Sequence, residues 1–313
     1  MYIFDGRVTL EDRELLESYL TGFDYKTSGM TYTSMYMWRD INLFSWEEIG
    51  GYLFISAADN LDPVMGDPFM FPPLTRTGGY EPGALREAVL EAKRRFEGKG
   101  KPFHMMLVPF HMLDILGEAF PGGIAFEADR PNFDYVYNAQ DLAELRGRDF
   151  HAKKNHLNYF KGHYEYTYER MTPDMAGEAM AFIRAFNERK NLEDPHEREL
   201  LEFEEQAMRD VFVNLDVVGY LSGCIRIGGK IEALTVGGLQ GPKTAVVHVE
   251  KANTEYRGLY QAIANEFVKA VMAGHRNVSR INREEDMGLP GLRKAKLSLH
   301  PVKLVEKYTV TLK

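Results

Sequence analysis

Two residues apart in the run from Thr244 to Glu250, His248 and Glu250 are placed to do acid–base chemistry. Alternate side chains of an extended chain share a face, so the imidazole and the carboxylate belong to one surface. A general base must lie within hydrogen-bond reach of the proton it takes and titrate near the working pH, a shift that burial in a cleft can give a glutamate. Glu250 is a candidate general base by this criterion; the alternative is a structural pairing with Lys251 or Arg257. A second polar cluster comprises Asn282, Arg283, Glu284, Glu285 and Asp286. Its adjacent carboxylates suit a cationic acceptor or an amino acid, with Glu284 and Glu285 as further base candidates and Asn282, Arg283 and Asp286 as substrate contacts. The spacing of an oxygen-ligand loop is missing, so no metal is expected. Neither Cys224, inside an expected strand, nor any Ser–His pair signals a covalent nucleophile.

One stretch, residues 244–301, must position these groups. Val246, Val247 and Val249 are β-branched, and the run is bounded by Gly241-Pro242 and Ala252-Asn253, which reads as a buried strand. After Gly258, Leu259, Ile263, Phe267 and Val271 recur every four residues and draw an apolar stripe down a helix. A short strand, 278–282, follows, and the pair should be parallel through a right-handed crossover. At the helix start, the turn Tyr256, Arg257, Gly258, Leu259 and Tyr260 offers unpaired N–H groups, which attract phosphate, and Arg257 adds a forked cation. With no side chain at Gly258 a ligand can approach the main chain, so Gly258→Val is expected to block donor binding. The alternative is a tight turn with a solvated Arg257.

The rest of the chain alternates helices with strands, an α+β pattern. Helices are expected after Thr9 and Asp12, from Glu81 along the stripe Leu85, Ala88, Val89, Ala92 and Phe96, and after Thr172-Pro173. Strands are expected at 52–56, after the Gly50-Gly51 turn, at 103–108 and 132–137, and at 163–169, where Tyr164, Tyr166 and Tyr168 alternate. A meander of 216–226, 230–239 and 244–250 leads into the Gly258 turn. The aromatic and Met-rich run from Met30 to Trp46 reads as core rather than a ligand-facing wall. Residues 59–79, rich in Pro and Gly, read as a long irregular loop, and the charged segment 188–210 as solvent-facing. Between Arg146 and Gly162 basic residues outnumber the one acid, Asp149, and Phe150, Leu157 and Phe160 share a face: a basic amphipathic helix whose cations either contact an anion or are solvated.

The runs His248-Val-Glu-Lys-Ala-Asn253, Tyr256-Arg-Gly-Leu-Tyr260 and Ile281-Asn-Arg-Glu-Glu-Asp-Met-Gly-Leu-Pro-Gly-Leu-Arg-Lys-Ala-Lys296 resemble a bacterial family of unknown-function proteins. That family is similar to the C-terminal catalytic domain of phosphatidylglycerol lysyltransferases. The resemblance implies two tandem acetyltransferase-like (GNAT-like) domains with mixed sheets flanked by helices, residues 1–140 and 141–313, an arrangement shared with Fem peptidyl transferases. It places the donor site in the second domain, where a basic motif ending in Asn, here Lys153, Lys154 and Asn155, meets phosphates of CoA, a tRNA acceptor stem or an anionic lipid. In acetyltransferases the Gly turn holds the pyrophosphate of acyl-CoA. The usual pattern has Gln or Arg three residues before its first Gly and a small residue two after; here Glu255 and Tyr260 stand there. Glu255 repels pyrophosphate, which shifts the balance toward aminoacyl-tRNA as donor.

The chain is 313 residues long, comfortable for two domains, and carries a formal charge of −8. That charge argues against general DNA binding while leaving room for local tRNA contact. One cysteine allows no internal disulfide, residues 1–7 lack an export signal, and no apolar stretch is long enough to span a membrane, so a cytoplasmic protein is expected. The expected activity is transfer of an aminoacyl or acyl group to an amine or hydroxyl of a small-molecule, peptide or lipid acceptor, with no tightly bound cofactor. Its rival is a binding protein that keeps the fold without the chemistry.

Overall fold

The computed structural model describes residues 1–58, 66–189 and 195–313. Among these, the strands are β1 (Gly6–Arg7), β2 (Ser45–Ile49), β3 (Tyr52–Ala57), β4 (Phe69–Met70), β5 (Met105–Pro109), β6 (Ile124–Ala128), β7 (Asp134–Asn138), β8 (Thr167–Glu169), β9 (Leu221–Ile227), β10 (Lys230–Leu239), β11 (Thr244–Ala252), β12 (Arg280–Asn282), β13 (Lys303–Val305) and β14 (Lys307–Leu312). They form two seven-stranded sheets, ordered β1-β2-β3-β4-β5-β14-β6 and β8-β9-β10-β11-β12-β7-β13.

The two orders match position by position. In each, an antiparallel run ends in a strand–helix–strand crossover whose strands are parallel neighbours: β4 and β5 around helix Pro82–Gly98, β11 and β12 around helix Leu259–Gly274. The sixth position is filled by exchange. β14, from the end of the sequence, lies between β5 and β6, while β7 lies between β12 and β13. One compact unit therefore comprises Met1–Asp134, Glu285–Gly288 and Val305–Lys313, and the other Tyr135–Glu284 and Leu289–Leu304. The expected division at 140/141 differs from this arrangement because the exchanged strands move the break to Asp134 and return two later segments to the first unit.

Local sequence explains the elements that flank the sheets. Glu81 caps helix Pro82–Gly98 by accepting from the N–H groups of Gly83 and Ala84, and the stripe Leu85, Ala88, Val89, Ala92 and Phe96 is buried. Gly50 and Gly51 take φ of +60° and +83° in the two-residue turn between β2 and β3, a conformation that favours glycine. In the run from Met30 to Trp46, Met30, Tyr32, Met35, Tyr36, Met37 and Phe44 are buried, four of them on a helix Tyr32–Met37 that Thr31 caps, while Trp38 and Trp46 are partly buried. Of the long loop, residues 59–65 lie outside the described residues, and the remainder contributes β4. Residues 190–194 of the charged segment also lie outside them; after these, helix Pro195–Val213 buries Ala207, Met208, Val211 and Phe212.

Two strand expectations are corrected. Helix His151–His163 takes His163, and pairing with β9 covers only Thr167 to Glu169, so the strand is shorter than the tyrosine alternation suggests. Residues Leu215–Val218 are a helical turn ended by Gly219 at φ +80°, so β9 starts only at Leu221.

A buried ionic cluster ties the three segments of the first unit. Lys307, 2% exposed, lies 2.7 Å from Asp134 and 3.5 Å from Glu285, and Asp134 also accepts from the backbone and hydroxyl of Ser28 at 2.7 and 2.9 Å. Removing one partner of a buried pair leaves the other charge uncompensated. Lys307→Met is expected to lower unfolding free energy by about 3–5 kcal/mol in urea denaturation, and adding Asp134→Asn should recover part of that loss.

Candidate active site in the second unit

The polar side chains of the second unit converge where β11 runs on beyond its partner β12. Their parallel pairing covers Thr244 to Val246 against Arg280 to Asn282. Past that point β11 carries a bulge: Val236 pairs with Val249 and Gly237 with Val247, which leaves His248 as the extra residue. Gly237 is required opposite it, since a Cβ there would stand 2.0 Å from the Val246 carbonyl oxygen.

The chain leaving β12 lies against this stretch. Arg283 donates to Glu250 Oε1 at 2.7 Å, and Glu284 Oε1 lies 2.8 Å from His248 Nδ1. A carboxylate accepts, so Nδ1 is the donor in this pair. Glu284 sits at φ +58°, its N–H donating to Asn282 Oδ1 at 2.8 Å, and Asn282 donates to Gln240 Oε1 at 3.1 Å. Tyr135 in β7 brackets the turn, accepting from Arg283 N–H and donating to the Glu284 carbonyl. Lys296 caps the Arg283 carbonyl.

Electrostatics follow from that geometry. Burial works against the Arg283 cation, but the charge and hydrogen bond of Glu250 outweigh it and hold its pKa above the usual arginine value. Lys153, on helix His151–His163, is pushed down by burial and by the Arg283 charge. Among the described residues it has no ion-pair or hydrogen-bond partner. Burial raises the Tyr260 phenol, a bond to the Ala252 backbone opposes this, and the Glu250 charge adds to the rise. Two buried polar atoms of this network, Glu250 Oε2 and Gln240 Nε2, have no hydrogen-bond partner among the described residues. Such orphans are costly unless a water or ligand meets them.

The sequence candidates are thus sorted. His248, Glu250, Asn282, Arg283 and Glu284 come together, with Lys153 and Tyr260 within electrostatic range. The structural partner of Glu250 is Arg283; Lys251 pairs instead with Glu204, and Arg257 stacks over Tyr159. Glu285 and Asp286 do not join: they belong to the first unit, where Glu285 faces Lys307 and Asp286 pairs with Arg130 at 3.1 Å. Lys154 is exposed, and Asn155 bonds His151. Tyr256 packs edge-on to Tyr164, and Leu259 is buried. Among the described residues, no group of three or more His, Cys, Asp or Glu is arranged to hold a metal, and no helix is long and apolar enough to cross a membrane.

At the Gly258 turn, with φ +89°, a Cβ on Gly258 would lie 2.2 Å from the His156 carbonyl oxygen and 3.1 Å from Phe160 Cβ. Helix His151–His163 takes the place of that Cβ, so a glycine is needed for the helix to pack here. Lys161 and Tyr166, both bonded to Glu266, hold the two helices together.

The sequence matches the family described as phosphatidylglycerol lysyltransferase, C-terminal, over residues 21–311. The chain belongs to that family. A conserved protein of unknown function from Bacteroides thetaiotaomicron is 30% identical, with a TM-score of 0.86 over 97% of this chain and 98% of that one. The C-terminal domain of a putative lysylphosphatidylglycerol synthetase from Agrobacterium fabrum gives a TM-score of 0.65 at 13% identity, over 96% of this chain and 91% of its own. A tandem GNAT protein from the clavulanic acid pathway gives 0.53 at 10% identity, over 97% and 96% of the two chains. These likenesses establish a tandem GNAT-like fold for the family member described here. Among curated proteins, an uncharacterised one from Mycoplasmoides gallisepticum is 23% identical over 184 residues, 56% of this chain and 55% of that protein, so the match spans about half the curated relative.

Two measurements check this geometry. Gly258→Ala is expected to destabilise the family member by about 1–3 kcal/mol through backbone strain, with the steric clash adding to it, read as a lowered melting temperature. Lys153, with its pKa below the usual 10.5, should react with an amine-directed reagent at lower pH than the exposed lysines; a pH profile by mass spectrometry that places it among them would contradict the site as described.

Proposed function

We propose that this chain transfers an aminoacyl group from aminoacyl-tRNA to a hydroxyl or amine at the Glu250 cluster, in the reducing cytoplasm that its single cysteine suits. The observation that carries this reading is Glu250 Oε2, buried and without a partner while Arg283 fixes its sister oxygen. The cluster lies toward the carboxyl ends of parallel strands, where open sheets take ligands. An attacking hydroxyl or amine gives its proton to Oε2 as its oxygen or nitrogen bonds to the ester carbonyl carbon. The ester bond to the terminal ribose then breaks, and the ribose oxygen takes up the proton. Product and uncharged tRNA leave with no covalent enzyme intermediate. Lys153 and Arg283 supply positive charge for a phosphate of either substrate.

Family membership supports a lysyl-type donor and makes a phospholipid hydroxyl the first acceptor to try, with peptide and small-molecule amines beside it. Glu255, standing where the acetyltransferase pattern has Gln or Arg, favours aminoacyl-tRNA over acyl-CoA. A second reading, ligand binding without transfer, is favoured by the complete enclosure of the His248 side chain and the pairing of Glu250 with Arg283.

The test is transfer from a pool of radiolabelled aminoacyl-tRNA to phosphatidylglycerol vesicles, peptides and amines, run beside labelled acetyl-CoA. Transfer from tRNA alone is expected, and Glu250→Gln should slow it about 10²–10⁴-fold with tRNA affinity unchanged. Transfer from acetyl-CoA alone overturns the donor assignment, an unaltered rate in Glu250→Gln overturns the base, and silence with both donors puts the binding protein first.

A further inference from the structure

One edge of the first sheet is open. β6 ends the strand order, and among the described residues no strand pairs with its outer side. Its ladder with β14 runs from Tyr308 opposite Ala128 to Leu312 opposite Ile124. Asp129 N–H donates to the Lys307 carbonyl at 2.9 Å, and Lys313 N–H to the Gly123 carbonyl at 2.8 Å. Hydrogen-bonded pairs alternate along an antiparallel ladder. Gly123, Ala125, Glu127 and Asp129 therefore turn their backbone groups toward β14, and Ile124, Phe126 and Ala128 turn theirs to the open edge. Natural sheets blunt such edges with charged residues, above all lysine, with proline or with a bulge. Ile124–Ala128 has no lysine or proline, its one charge is Glu127, and its ladder is unbroken. Phe126 is 56% exposed and Phe110 58% exposed, with the Tyr308 ring between them at 5.8 and 6.0 Å.

We propose that a second copy of the chain pairs with this edge, β6 against β6, antiparallel about a two-fold axis through Phe126. That register sets Ile124 opposite Ala128 and Phe126 opposite its own copy, so every outward N–H and C=O of the strand finds a partner. It also sets Glu127 opposite Ala125. Centring on Glu127 instead would face two carboxylates, which is unfavourable, and centring on Ala125 would leave outward groups unmatched. The contact is isologous and closes on itself, so it yields a dimer rather than a filament. Covering the exposed parts of Phe110 and Phe126 in both copies removes roughly 400 Å² from water. Stable interfaces bury about 1,200–2,000 Å² in all, so this apolar part is a minor share and the dimer is a weak one.

Sedimentation velocity over about 1–100 µM tests it on the full chain. Wild type should pass from monomer to dimer across that range. Ala125→Lys places a cation opposite Glu127 of the other copy and should tighten the dimer; Ala125→Glu places like charges there and should weaken it. Each change is expected to be roughly three- to tenfold in Kd, since the contact occurs twice. Position 125 is exposed, so circular dichroism should show both variants folded. The double change Ala125→Cys with Glu127→Cys should, on oxidation, give a covalent dimer, the native Cys224 being buried. A wild type that stays monomeric, equal constants for the two Ala125 variants, or no cross-link overturns the pairing.

Discussion

A lysine ammonium cannot be buried without anions around it, and Lys307 meets two at the points where the chain changes sheets. Asp134 is the last residue of the first segment of its unit, Glu285 the first of the second, and Lys307 stands near the start of the third. Their contacts fix where the chain leaves and re-enters the first unit, and Arg130 with Asp286 repeats the arrangement beside them. Strand exchange has no local sequence code. In the observed exchange, with β14 in the first sheet, Lys307 finds its compensating charges in Asp134 and Glu285.

The consequence reaches the second unit through β7. That strand completes the second sheet, and its Tyr135 goes on to bracket Arg283 and Glu284. The turn that carries the partners of Glu250 and His248 is thus held by an exchanged strand rather than by β12 alone. A turn with a non-glycine residue at φ +58° needs such bracketing, because the left-handed conformation costs a glutamate on the order of 1 kcal/mol. The bulge at His248 supplies the other half: an extra residue on β11 re-aims side chains that strict alternation would fix.

Periodic local patterns were legible. The stripe Leu85 to Phe96, the Gly50-Gly51 hairpin, the bounds of β10 and the strand–helix–strand unit around Leu259–Gly274 follow from spacing that a short window contains. The tyrosine alternation at 163–169 misled because pairing with β9 begins only at Thr167, and His163 closes the preceding helix. Bulge and exchange escaped for another reason. Val246 to Val249 reads as continuous strand, and the skipped residue becomes visible only against Val236 and Gly237. Likewise Arg283, Glu285 and Asp286 read as one polar cluster, and composition records neither the pairing of Arg283 with Glu250 nor the change of unit that separates Glu285 and Asp286 from it.

The Gly258 turn shows how one sequence feature can serve opposite ends. A glycine at a helix start permits close approach, and what approaches is decided by the rest of the chain. Here Leu157 and Phe160 bury the apolar face of helix His151–His163, and the Lys161–Glu266 pair fixes it against helix Leu259–Gly274. The His156 carbonyl then occupies the place that a Cβ on Gly258 would take. The same helix carries Lys153, a half-buried cation lowered in pKa by burial and by the Arg283 charge. Docking the helix at the glycine therefore also sets a second cation near Arg283, the partner of Glu250.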